Sequence, residues 1–235
     1  MSNSMNTLRE GYTALVAGSS GAIGQAFVRH LRADSRCARV IECSRRSDPP
    51  LLLDDESSLA HCARSLAAQA PLHLVIDATG ALTIDGQGPE KRIEDLQADR
   101  LQRAMLVNAI GPALLLRYFQ PLLANGERVI WAKLSARVGS IEDNRKGGWY
   151  SYRASKAALN MLLQTAAIEI ARRRPLAILA ALQPGTVRSS LSAPFVGAAA
   201  MPPEQSVSGL LTALDGLEPK GRAHFIDYRG AHIPW

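Results

Sequence analysis

The sequence predicts an α/β fold in which a doubly wound parallel sheet carries helices on both faces. Three observations support this. Short apolar runs alternate with amphipathic stretches of ten or more residues along the chain, the pattern of strands joined by crossover helices. The apolar runs lack in–out alternation, as strands buried on both faces do. The first run ends in a glycine-rich turn, Gly18-Ser19-Ser20-Gly21-Ala22-Ile23-Gly24, that leads directly into a helical pattern.

The elements follow in order. Tyr12 to Ala17 is apolar and closed by Gly18, which reads as a buried strand. In 22–33, Ile23, Phe27 and Leu31 recur at steps of four, one face of a helix. Residues 39–43 form the next strand, and 55–69 a helix with Leu59, Cys62, Ala63 and Leu66 inward. A strand over 72–76 stops at Asp77-Ala78-Thr79-Gly80, and 105–123 is a long apolar helix that Pro112 is expected to bend. Then come a strand at 128–134, a second long helix at 150–172, and a strand at 176–182 closed by Pro184-Gly185. A helix at 204–217 and a strand at 223–226 complete the pattern, one domain over 1–235 with a polar, flexible stretch at 1–10.

Composition narrows the function classes. Hydrophobic residues at 47% against 20% charged sustain a core and exclude wholesale disorder. The longest apolar run, 176–182, is far short of the roughly 20 residues of a membrane span. The first ten residues contain no apolar signal region, so a cytoplasmic protein with no membrane partner is expected. Cys37, Cys43 and Cys62 form no CxxC pair, and the histidines no HExxH, so neither a disulfide framework nor a metal site is expected. Net charge is 27 − 21 = +6, with arginine supplying 22 of the 27 basic residues. These arginines are mostly scattered and aromatics reach only 5%, which argues against nucleic-acid binding. The run Arg172-Arg173-Arg174 falls where a helix ends and complements its dipole.

Two motifs carry chemistry. A glycine-rich turn between a strand and a helix lets the backbone approach a pyrophosphate, whose charge then sits at the helix N-terminus. In Tyr152-Arg153-Ala154-Ser155-Lys156, tyrosine and lysine four apart share a helix face. A cation there stabilises tyrosinate, so the phenol can exchange protons nearer neutrality.

With these motifs the chain resembles the short-chain dehydrogenase/reductase family from about Thr13 to Trp235. Within it, the chain is similar to the group that includes the C-factor type proteins. That likeness lies in Gly148 to Asn160 and in Asp227-Tyr228-Arg229-Gly230 with Ile233-Pro234-Trp235. The resemblance implies a single-domain Rossmann fold with about seven strands. It makes Tyr152 the general acid or base and has Lys156 lower its pKa and hold the nicotinamide ribose. Asn108 would support a proton-relay water. Asp77-Ala78-Thr79-Gly80 would pack against the adenosine side, and Pro184-Gly185-Thr186-Val187 would pair with the carboxamide.

Three departures stand out. The place of the family's catalytic serine, three residues before Gly139, holds Ala136. The oxyanion donor is then expected to be Ser135, with Ser140 the other candidate. Asp77 stands where the family often has asparagine. Leu52 stands where an acidic residue often meets adenine, with Asp54 two residues on as substitute.

Cofactor choice is read at the end of the second strand, where NAD-preferring sites place an acidic residue. Here Glu42 lies inside the strand, which runs into Ser44-Arg45-Arg46. The guanidinium fork suits a 2′-phosphate, so NADP(H) is expected ahead of NAD(H). The leading expectation is hydride transfer between NADPH and a small carbonyl or alcohol, in a homodimer or homotetramer paired through the long helices. The alternative is a non-catalytic NADP-binding sensor or C-factor-like signalling protein.

Overall fold

The structure, a computed structural model, describes residues 5–188 and 200–235. Its sheet has six parallel strands: β1 (Tyr12–Ala17), β2 (Cys37–Cys43), β3 (Leu74–Asp77), β4 (Val129–Leu134), β5 (Ala177–Gln183) and β6 (His224–Asp227). Their order is β2-β1-β3-β4-β5-β6. The chain leaves β1 toward one edge and returns past it to β3. The carboxyl ends of β1 and β3 therefore flank a topological switch point, where open α/β sheets bind ligands.

Among the described residues, six α-helices cover the sheet: α1 (Ala22–Ala33), α2 (Glu56–Leu66), α3 (Ala98–Met105), α4 (Gly111–Phe119), α5 (Tyr150–Ala171) and α6 (Pro203–Asp215). One core joins Leu115, Phe119, Trp131, Leu163 and Phe225 under α2, α4 and α5. The other joins Phe27, Leu31, Ile130, Val207 and Leu210 under α1 and α6. Every residue of β4 is buried, as a strand covered on both faces requires.

Four expectations change. The sheet has the six strands that the sequence pattern places one by one, rather than the about seven that the resemblance implies, and residues 44–55 form no strand. Leu51 N–H reaches Ser44 O at 2.8 Å, Pro49 and Pro50 offer no N–H, and β2 remains an edge. Residues 5–10 are anchored rather than flexible: Met5 and Leu8 are buried, and Met5 N–H donates to Asp34 Oδ2 at 3.2 Å. The helix expected from 105 begins seven residues earlier, at Ala98. It is also interrupted by a π turn over Leu106–Ile110. Pro112 has no N–H for the carbonyl four residues back, that of Asn108, and a widened turn accommodates the loss.

Candidate active site

The nucleotide side is built from backbone. Gly18 has φ +78°, and a Cβ there would stand 3.0 Å from Ala78 C. A Cβ on Gly24 would stand 2.1 Å from Gly18 O, so only glycine lets α1 start this close to the turn. No side chain caps α1 at Gly21, and its first turn holds no acidic residue. Its N–H groups and dipole are thus available to an anion. Ser19 is buried, with its hydroxyl on Cys43 O at 3.3 Å, and Ile23 faces the core below.

A cleft of about 280 Å³ opens here, lined by Gly18, Ser20, Gly21, Ser44, Arg45, Asp54, Ala78, Thr79 and Gly80, among others. Arg45 and Arg46 are exposed, and no ion pair engages them among the described residues. Glu42 is held by Arg32 at 2.5 Å, away from the turn. Asp54 pairs with Arg103 at 3.1 Å, and Arg103 reaches Asp85 at 3.5 Å. An open helix N-terminus, a glycine-only cradle and free arginines fit a phosphorylated dinucleotide.

The acid–base side is built from buried side chains. Lys156 lies under the sheet end with Nζ donating to Leu134 O at 3.2 Å and 5.6 Å from the Tyr152 ring centre. Burial pushes the Tyr152 phenol up to about 12. Burial, then the Lys133 charge, pushes Lys156 down to about 7, with Asp77 opposing. Burial of the phenol thus works against the lowering that the resemblance implies for Tyr152. Lys156 is itself reluctant to be charged, and desolvation of the phenol prevails.

Asn108, in the π turn, clasps the Ala81 backbone from both sides: Ala81 N–H donates to Oδ1 and Nδ2 donates to Ala81 O, each at 2.8 Å. Tyr152 and Asn108 line a second, smaller cleft of about 140 Å³ with Leu82, Ile84, Pro89 and Ala104.

Two features escaped the sequence reading. Glu90 caps α5 from 61 residues away, its carboxylate accepting from Ser151 N–H at 3.1 Å and Ser151 Oγ–H at 2.5 Å. Burial alone would raise the Glu90 pKa, but the Ser151 hydrogen bonds and Arg100 outweigh it and hold it below the usual range. The second is Lys133, buried in β4 directly across from Asp77 in β3, with Nζ to Oδ1 at 3.0 Å. A lone lysine in the apolar run of β4 was the available signal, since a buried charge requires a partner.

The serines do not reach the site. Ser135 is buried and donates to Asn160 Oδ1 at 2.7 Å, one turn beyond Lys156. Side chains alternate along an extended segment, so Ala136 takes the direction the catalytic serine would need. Ser140 accepts from Asp143 N–H at 3.0 Å and lies 3.4 Å from Trp235 O. Neither serine lines either cleft. Pro184, Gly185, Thr186 and Val187 follow β5, with Pro184 O taking the Ser206 hydroxyl at 2.6 Å and Val187 bridging Met201. They line neither cleft, and most of the expected substrate lid, 188–203, lies outside the described residues.

Residues 52–202 match the family model described as enoyl-(acyl carrier protein) reductase. The C-signal protein of Myxococcus xanthus is 34% identical over 141 residues, 60% of this chain and 82% of that protein. The 1-hydroxy-2-glutathionyl-2-methyl-3-butene dehydrogenase of Rhodococcus sp. (strain AD45) is 32% identical over 181 residues, 77% of this chain and 76% of that enzyme. The crystal structure of NADPH-bound carbonyl reductase from chicken fatty liver superposes with a TM-score of 0.81 at 25% identity, covering 97% of this chain and 100% of that one. Matches over most of the chain, together with the Tyr152–Lys156 spacing and the glycine turn, place this protein in the short-chain dehydrogenase/reductase family, close to the C-factor group.

Proposed function

We propose that the protein is an NADP(H)-dependent reductase of a small carbonyl compound, with Tyr152 as general acid. The observation that carries this reading is the placement of Tyr152, which lines a cleft together with Asn108 and has Lys156 Nζ 5.6 Å from its ring centre. When bound, NADPH supplies the hydride that reduces the carbonyl carbon. The backbone at Gly18, Ser19, Ser20, Gly21 and Gly24 and the α1 N-terminus hold the pyrophosphate, while Ser44, Arg45 and Arg46 take the 2′-phosphate. Asp54, Ala78, Thr79 and Gly80, which line the larger cleft, would floor the adenosine side, and Pro184 to Val187, outside both clefts, would orient the carboxamide as the resemblance implies. Tyr152 donates its proton to the carbonyl oxygen as negative charge develops there. Lys156 holds the ribose and stabilises the phenolate left behind. With Ala136 in the serine place, the second donor to that oxygen is a water or a backbone N–H.

The 140 Å³ cleft is close to the about 150 Å³ that accommodates benzene in an apolar cavity, so the favoured substrates are small. Arg100 and Arg103, in its walls, already face Glu90, Asp54 and Asp85, which favours a neutral substrate. Ile110, Met161, Leu162 and Ile168 are exposed on the long helices and offer the surface for a homodimer or homotetramer. The second reading, a non-catalytic NADP-binding sensor, draws on Ala136 alone. The retained set of Tyr152, Lys156 and Asn108 has no purpose in a pure binder.

The test is NADPH consumption against a panel of ketones, aldehydes and quinones, with Tyr152→Phe beside the native protein. Turnover should fall by roughly 10²–10⁴ in the variant while NADPH binding is retained. Unchanged turnover would overturn the mechanism.

A further inference from the structure

Asp77 and Lys133 form an ion pair that is almost wholly removed from water, with side-chain exposures of 0% and 1%. Such a pair adds little net stability compared with apolar residues of the same volume, so its cost invites a functional explanation. Its surroundings supply one. Lys133 Nζ donates to Asp77 Oδ1 at 3.0 Å, to Thr79 O at 2.7 Å and to Thr79 Oγ1 at 3.0 Å. Thr79 N–H in turn donates to Asp77 Oδ1 at 3.0 Å. On the other side of the same turn stands Lys156: a Cβ on Gly80 would lie 3.4 Å from its Nζ and 3.1 Å from Asn108 Oδ1. Lys133 thus holds the Thr79–Gly80 turn from one side, and Lys156 stands close to it on the other.

We propose that the Asp77–Lys133 pair is a positioning device for Lys156. Lys133 pins the Thr79–Gly80 turn against Lys156 and opposes its positive charge, while Asp77 limits that opposition. The charged or titratable groups facing Lys156 are Asp77 from β3, Lys133 from β4 and Tyr152 from its own helix. The π turn presents the neutral Asn108. Lys156 is lowered by burial, then by Lys133, against Asp77, the directions these placements require. A lysine whose charge is opposed in this way is suited to exchange a proton with the Tyr152 phenol. The proposal rests on the reading of Tyr152 and Lys156 as the acid–base pair, but its test needs neither substrate nor cofactor.

The chain has five lysines, so ¹³C-lysine labelling gives a short spectrum in which Lys156 is identified by its loss in Lys156→Met. Its titration is followed in the native protein, Lys133→Met, Asp77→Asn and the double variant. Lys133→Met should move the Lys156 midpoint upward by roughly one pH unit or more. Asp77→Asn should move it downward, and the double variant should lie between the two. A role limited to bracing the turn would move all three in one direction. That result, or no movement, overturns the proposal. If Lys133→Met does not fold, the downward shift in Asp77→Asn and its reversal in the double variant decide the matter. Failure of the NADPH-consumption assay would count against the proposed activity and leave this titration standing.

Discussion

The two halves of the site lie along the carboxyl ends of the strands and are built by opposite means. The nucleotide half, at β1 and β2, is backbone and open space: Gly18, Gly21 and Gly24 clear the way, α1 presents N–H groups, and Arg45 and Arg46 stand in water. The acid–base half, at β3, β4 and α5, places Asp77, Lys133 and Lys156 out of water and pairs them with one another and with nearby carbonyls, leaving Asp77 Oδ2 without a hydrogen bond among the described residues. Binding a polyanion requires room and unpaired donors, which a solvated turn supplies at little cost. Proton transfer near neutrality requires shifted ionisation, which needs burial and placed charges. Substitutions in the first half should therefore act on affinity and those in the second on ionisation and rate.

The largest effect expected in the open half comes from Gly24→Ala. Its methyl would press into the Gly18 carbonyl at 2.1 Å, and the backbone must move because no flexible side chain can yield. NADPH affinity should weaken by roughly a hundredfold or more, the equivalent of about 3 kcal/mol of strain, as read by fluorescence titration. Retained affinity would mean that the turn is not the pyrophosphate cradle.

Arg45→Ala should cost less and act selectively. A hydrogen bond to a charged group contributes about 1.5–3 kcal/mol, so NADPH affinity should drop roughly ten- to a hundredfold with NADH affinity nearly unchanged. Equal or tighter NADH binding by the native protein would break this side of the contrast.

Ser135→Ala gives the smallest expected change in rate and the clearest separation of structure from chemistry. Loss of its bond to Asn160 should lower stability by about 1–3 kcal/mol, visible in denaturant unfolding, with kcat held near the native value. A fall in kcat of roughly 10²–10³ would instead identify it as an oxyanion donor.

Much of the architecture was legible locally. Strand β1 and helix α1 begin and end where the apolar run and the four-residue spacing place them. Tyr152 and Lys156 share a face of α5 because they are one helical turn apart. What was not legible depends on contacts distant in sequence. The Ser135 assignment depended on which face of the chain met Asn160 on α5. Glu90 sits in an irregular loop whose sequence contains no sign of the helix it caps.

The sequence by itself determined the alternation of strands and helices, the glycine turn and the four-residue spacing of the acid–base motif. These follow from steric limits on φ and from the helical repeat, both local properties. Only the tertiary structure decided the ionisation of the site and the direction of its serines. A lysine in β4 and an aspartate in β3 become a pair when the register sets them side by side. Burial then fixes how reluctantly the neighbouring Lys156 carries charge, because the cost of a charge depends on the surrounding dielectric and on partners brought from elsewhere in the chain.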